Sequence, residues 1–157
     1  NYYDINWHQL EKSKAIIFSP GPGNPLNYPE TQKVYNKYKG KKKIIGICLG
    51  FQQILYAENA HIVPQKKIYH GYQSRVKALK ESTLFKPNKV FLAGRYHSLK
   101  LKEPFNSLSL KITMRCVESN VAMAIEDTIN NVYGFQFHPD SFLTVDGKFL
   151  IQKVLQF

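Results

Sequence analysis

Lys43-Ile44-Ile45-Gly46-Ile47-Cys48-Leu49-Gly50-Phe51-Gln52 is the stretch that decides the reading of this chain. An apolar run ends in a cysteine held between two glycines, and a helix-like sequence begins at once. The pattern Gly-x-Cys-x-Gly is the thiol counterpart of a nucleophile elbow. It predicts a strand (Ile44, Ile45, Ile47) that aims Cys48 out of the end of a sheet. Gly46 and Gly50 lack a β-carbon, so strand and helix can cross closely around a strained turn. The helix from Leu49 then points free N–H groups toward the sulfur, which favours thiolate over thiol. A buried structural cysteine at a strand end fits the same ten residues.

Upstream, Ala15-Ile16-Ile17-Phe18 is a short continuous apolar run, as expected of a strand buried on both faces. It stops at Ser19-Pro20-Gly21-Pro22-Gly23-Asn24-Pro25, which is too rich in proline and glycine for helix or central strand. A rigid loop at the carboxyl end of a strand is where open α/β sheets place ligands, and its glycines can turn N–H groups toward an anion. Pro29 to Tyr38 reads as a helix with Val34, Tyr35 and Tyr38 as its stripe, ended by Gly40. A second helix runs from Leu49 to about Glu58, with Asn59 as a left-handed end. Strand, helix, strand, helix implies parallel pairing. Before these, Asn1 to Asp4 reads as the tail of a strand and Trp7 to Lys12 as a short helix with Trp7 and Leu10 inward. From His61 the pieces are short and strand-like: Ile62-Val63, Lys66–Tyr72, Ser74–Leu79, Val90–Ala93, Arg95–Leu99, Leu108–Thr113, Asn120–Glu126 and Asn131–Phe137. They suggest an antiparallel set beside the parallel sheet. Gly147 to Phe157 closes as an amphipathic helix with Leu150, Val154 and Phe157 on one side. The expected fold is therefore α/β: a doubly wound, mostly parallel sheet with a small antiparallel extension, in one domain spanning 1–157.

A chain of 157 residues with 43% hydrophobic content suits one globular domain. No apolar run approaches the roughly 20 residues of a membrane helix. Two cysteines without C-x-x-C spacing argue against a disulfide framework or a zinc site. A working thiol needs a reducing compartment, so the expected location is the cytoplasm. The net charge of +11 is mostly lysine scattered over presumed surface, and the run Lys39, Lys41, Lys42, Lys43 reads as a solvated loop. No helix-turn-helix, RRM, KH or zinc-finger signature accompanies it, so neither nucleic acid nor membrane is expected as a partner.

A cysteine nucleophile needs a base, and the base needs an orienting group. His138 is the best candidate of five histidines, in Gly134-Phe135-Gln136-Phe137-His138-Pro139-Asp140-Ser141. It ends a predicted strand, as Cys48 does, so both can meet at one sheet edge. Asp140 stands two residues on, and in extended chain alternate side chains share a side. His97 is a rival base without an evident carboxylate. His8, His61 and His70 read as surface groups, and Cys116 as core. Tyr35, Tyr38, Phe149 and Phe157 read as core stripes.

Together the elbow GICLGFQ, the loop SPGPGNP and the segment GFQFHPDSFLT resemble the class I (triad) glutamine amidotransferases. Gly94-Arg95-Tyr96-His97-Ser98-Leu99 narrows the likeness to the small subunit of anthranilate synthase and its relative in aminodeoxychorismate (p-aminobenzoate) synthase. The resemblance implies a flavodoxin-like glutaminase domain. In it Cys48 would attack the glutamine carboxamide to give a thioester and ammonia. His138 would move protons and Asp140 would hold the imidazole. The Leu49 and Gly23 N–H groups would form the oxyanion hole, and Gly21, Pro22, Gly23, Gln52, Ser98 and Leu99 would bind L-glutamine. Ammonia would pass to a larger chorismate-binding synthase subunit, in the supply of tryptophan or folate. No metal or cofactor is implied for this half of the reaction.

Three positions depart from the family pattern. Asp140 stands where glutamate is usual, Phe51 where a polar histidine is common, and Tyr72 where relatives often carry lysine. The family's first strand and helix would precede residue 1, so an N-terminally incomplete domain is expected. The alternatives are a γ-glutamyl hydrolase of the same fold and a catalytically weak or inactive binding subunit.

Overall fold

The computed structural model describes residues 3–156. Its main sheet has seven strands: β1 (Ala15–Phe18), β2 (Lys43–Ile47), β4 (Tyr72–Ala78), β5 (Val90–Arg95), β7 (Lys111–Cys116), β8 (Ala122–Asp127) and β9 (Val132–Phe135). They lie in the order β1-β2-β9-β8-β7-β4-β5. A separate two-stranded sheet pairs β3 (Ile62–Pro64) antiparallel with β6 (Leu99–Leu101). The helices are α1 (Trp7–Lys12), α2 (Pro29–Tyr38), α3 (Leu49–Ala57) and α4 (Gly147–Leu155), with one 3-10 turn at Pro25–Asn27.

The sheet corrects the expectation of a mostly parallel one. Only β1/β2 and β2/β9 pair in parallel, whereas β9/β8, β8/β7, β7/β4 and β4/β5 are antiparallel. The antiparallel strands are not a small extension but the larger part of the main sheet. The cause is the connections. α2 carries the chain over from β1 to β2, so those strands run the same way. Between Tyr72 and Phe135 no helix intervenes, so this stretch has no helical crossover of the kind that joins parallel neighbours.

Helices cover both sheet faces, as expected. Val34, Tyr35 and Tyr38 of α2 and Phe51, Ile54 and Leu55 of α3 pack with Ile16, Phe18 and Ile44 on one face. Leu150 and Val154 of α4 pack with Ile45, Phe135 and Met114 on the other. Alternation along β2 explains the division, since Ile44 and Ile45 point to opposite sides. Two aromatic expectations fail. Trp7 is exposed, with Lys37 Nζ 5.0 Å from its ring centroid. Phe149 is also partly exposed, between Phe85 and Lys89. Tyr3 and Asp4 form a turn and bend and not strand; Asn1, Tyr2 and Phe157 lie outside the described residues.

The lysine run is not a solvated loop. Lys43 is buried, and its Nζ donates to the carbonyls of Val154 and Gln156 at 2.7 Å each, capping the C-terminus of α4. Lys42 Nζ donates to the Glu11 and Ser13 carbonyls, and Lys39 pairs with Glu58. At the other end of α4, Gly147 lies so close to the His138 loop that a β-carbon there would sit 1.8 Å from the Pro139 carbonyl oxygen.

Candidate active site

The site forms beyond the carboxyl ends of the three parallel strands, where α/β sheets place ligands. β1 leads into the loop Ser19–Pro25, β2 into Cys48, and β9 into the segment ending at Asp140. Cys48 adopts φ 53°, ψ −101°, a conformation costly for any residue with a β-carbon. Crowding maintains it: a β-carbon on Gly46 would lie 2.5 Å from the Gly50 carbonyl group, and one on Gly50 would lie 2.0 Å from the Phe18 oxygen. The elbow predicted from spacing is thus a real close crossing of β1, β2 and α3.

Cys48 borders two hollows. The inner one, about 160 Å³, is lined by Gly21, Pro22, Gly23, Cys48, Leu49, Gln52, Tyr96, His97, Ser98 and Leu99. Every residue expected to bind glutamine or form the oxyanion hole is on this wall. The outer one, about 450 Å³, holds Cys48 with His138, Asp140, Ser141, Tyr96, His70 and Phe142. Cys48, Gly21 and Tyr96 belong to both, so the thiol sits at their junction.

His138 is not in β9, as the sequence suggested, but three residues past it. It is held there by an isolated bridge to Gly94, with His138 N–H donating to Gly94 C=O at 2.9 Å. Thr144 completes the clamp, its hydroxyl donating to the His138 carbonyl at 2.5 Å and accepting from Gly94 N–H at 2.9 Å. Asp140 reaches the ring through a turn rather than extended chain. Its Oδ1 lies 3.5 Å from His138 Nδ1 with the carboxylate 66% exposed. His138 Nε2 is buried without a hydrogen-bond partner. The ring is therefore set with Nδ1 toward the acid and Nε2 free to accept a proton.

Electrostatics correct the thiolate expectation. Burial pushes the Cys48 thiol up to about 11, and the Asp140 charge adds to that; the Leu49 N–H pulls down, but less. Burial likewise holds His138 below the usual imidazole range, against the raising effect of Asp140. At neutral pH the pair is thiol and neutral imidazole, so a helix N-terminus alone does not ionise this sulfur. Iodoacetamide labelling of Cys48 should accordingly keep rising about tenfold per pH unit from pH 7 to 10, with no plateau near the ordinary thiol value of about 8.5. A plateau below pH 9, read by peptide mapping, would contradict this.

Other contacts carry no sequence signal. Gln52 Nε2 donates to Gln136 Oε1 at 3.1 Å, so a buried amide beneath the cavity fixes the amide on its wall. Tyr96 packs edge-on to His138 at 4.9 Å between centroids, and its hydroxyl meets Ser141 Oγ at 3.0 Å. Thr144 could have been suspected, because it closes the segment that begins at Gly134. His97 is excluded as a base: Nε2 accepts from Arg95 Nε at 3.0 Å, and Nδ1 lies 2.8 Å from the Leu99 oxygen. His8, His61 and His70 are exposed, as expected. Among the described residues no His, Cys, Asp and Glu cluster could hold a metal, and no helix is long and apolar enough to cross a membrane.

The family model "Glutamine amidotransferase class-I" matches residues 2–156. An anthranilate synthase component 2 of Lactococcus lactis is 37% identical over 147 residues, 92% of this chain and 74% of that protein. One of Cyanidium caldarium is 34% identical over 97% of this chain and 80% of its own length. Among solved structures, a glutamine amidotransferase from Thermotoga maritima superposes with a TM-score of 0.67 at 16% identity, over 94% of this chain and 68% of that one. That last likeness speaks for the fold alone.

Proposed function

The chain belongs to the class-I glutamine amidotransferase family, and from that premise we propose that it is the glutaminase subunit of a cytoplasmic chorismate-aminating synthase. The observation that carries this reading is the inner cavity of about 160 Å³, with Cys48 on its wall beside the Gly21–Gly23 loop, Gln52, Ser98 and Leu99. A glutamine side chain entering it brings its carboxamide carbon to the sulfur.

The proposed reaction begins with two neutral groups. As Cys48 Sγ bonds to the amide carbon, its proton passes to His138 Nε2, the nitrogen left without a partner. Charge developing on the former carbonyl oxygen meets the N–H groups of Leu49 and Gly23, each worth about 3–4 kcal/mol in comparable enzymes. The imidazolium then gives its proton to the departing nitrogen, ammonia leaves, and a γ-glutamyl thioester remains. Water attacks that thioester, His138 takes its proton and returns it to sulfur, and glutamate is released. Ammonia passes to the larger synthase subunit; the 37% identity to an anthranilate synthase component 2 supports a partner of that kind.

Asp140 has a modest part in this scheme. An exposed carboxylate 3.5 Å from the ring orients it weakly. Asp140→Ala should lower kcat about tenfold, far less than the roughly 10⁴-fold known for a buried triad aspartate. An unchanged kcat would remove Asp140 from the mechanism. The proposal as a whole is tested by glutamine hydrolysis with and without chorismate-using synthase subunits. Turnover stimulated by one of them is expected. Turnover of γ-glutamyl peptides in preference to glutamine, or no Cys48 adduct by mass spectrometry, would overturn it.

A further inference from the structure

Arg95 is fully buried, at 0% exposure, and among the described residues no carboxylate pairs with it. Its guanidinium lies over the Tyr69 ring, 3.5 Å from the centroid. Nη1 faces Cys116 Sγ at 3.4 Å and Ser74 Oγ at 3.5 Å, and Nη2 has no partner. A buried charge left this way is expensive, and core packing gives no reason to keep it. Its one close, directional bond is the 3.0 Å contact from Nε–H to His97 Nε2.

That bond has a consequence for the imidazole. Guanidinium nitrogens only donate, so His97 Nε2 must present its lone pair and the ring proton must reside on Nδ1. Nδ1–H then donates to the Leu99 carbonyl at 2.8 Å. Gln65 Nε2, which donates to the His97 carbonyl at 2.6 Å, also lies 3.2 Å from Nδ1; as a donor it would favour the opposite tautomer, and the Arg95 bond opposes it. Burial also drives His97 down to about 4, with the Arg95 charge adding to the effect, so the ring stays neutral under ordinary conditions. Leu99 and its neighbour Ser98 line the inner cavity.

We propose that Arg95 and His97 are positioning residues for the Ser98–Leu99 wall of the cavity: the guanidinium selects the Nδ1–H tautomer, and that N–H holds the Leu99 carbonyl in place. The inference rests on the glutaminase reading for its kinetic consequence, not for its tautomer. The Gln65 N–H to Ser98 carbonyl bond at 2.9 Å and the pairing of Leu99 with Pro64 remain, so losing the bond loosens the wall that contacts substrate while leaving Cys48 and His138 where they are. Binding therefore weakens more than chemistry.

The tautomer is read by ¹⁵N NMR of the ring in the intact chain, whether or not glutamine is hydrolysed. Wild type should show a protonated Nδ1 and an unprotonated Nε2 between pH 5.5 and 8, and Arg95→Met should show a mixture. In glutamine kinetics Arg95→Met should raise KM about tenfold, the loss of one buried hydrogen bond, with kcat within about threefold. His97→Asn places an amide N–H where Nδ1 was and should recover most of the affinity that His97→Gln loses. Adding Arg95→Met to His97→Asn should change KM little further, since an amide has no ring tautomer to select. An Nε2–H tautomer in wild type, equal KM for the Asn and Gln variants, or a kcat loss without a KM change would each overturn the proposal. Should Arg95→Met not fold, the wild-type spectrum and the His97 pair decide it. Correct tautomer with no glutamine turnover would sink the glutaminase reading and leave the positioning bond standing.

Discussion

Cys48→Ala should abolish glutamine hydrolysis, with kcat falling about 10⁴-fold or more, the usual scale for removing a covalent nucleophile. Among the described residues no other thiol lines either hollow. Cys116 is buried elsewhere, its thiol donating to Glu118 Oε2 at 3.1 Å, and it lines neither hollow. Water activated by His138 is a poor substitute, because it forms no covalent intermediate to divide the reaction into two easier steps. The alanine methyl fits the space the thiol occupied, so the melting temperature should move by only a few degrees. Glutamine should still bind, and its affinity by calorimetry should stay within about threefold of the wild-type value. Residual turnover above about 1% would mean that another group attacks the amide.

Gly50→Ala should be the most disruptive single-methyl change near the site. In an ordinary helix interior that substitution stabilises by about 1 kcal/mol. Here the added carbon would lie 2.0 Å from the Phe18 carbonyl oxygen, and neither partner is a flexible side chain. α3 must back away from β1 or the strand must bend, at a cost of about 3 kcal/mol or more. For a domain of this size that is a fall in melting temperature of roughly 6–12 °C. Activity should fall further than stability, because Leu49 begins the helix that moves and its N–H is one of the two oxyanion donors in the proposed reaction. A variant as stable as wild type would show that the crossing is looser than these contacts require.

Local features were the legible ones. The elbow, the proline-rich loop and the extents of α1 and α2 follow from neighbours in sequence, where glycine, proline and apolar spacing act directly. Strand direction did not follow, because a short apolar piece such as Leu108–Thr113 carries no sign of which way its partner runs. The thiol's state does not follow from the elbow for a related reason: burial of Cys48 depends on residues distant in sequence, and it outweighs the Leu49 N–H. Lys43 is a sharper case. Its acceptors are 111 and 113 residues away, so a lysine run that looked like open loop conceals a buried cap. His97 could be suspected as a base from its motif, and only the contacts of both ring nitrogens remove it.

α4 links these distant pieces in another way. One end abuts Pro139 beside His138, and the other is tied to the first residue of the strand that ends at Cys48. Nine residues of helix span about 13.5 Å at 1.5 Å per residue. The helix thus ties the loop that carries His138 to the start of the strand that leads to Cys48, beside the direct bond from Cys48 N–H to the Phe135 carbonyl at 2.8 Å. Insertions or deletions of one residue within it should therefore be tolerated less than larger changes in the exposed turns of the antiparallel half.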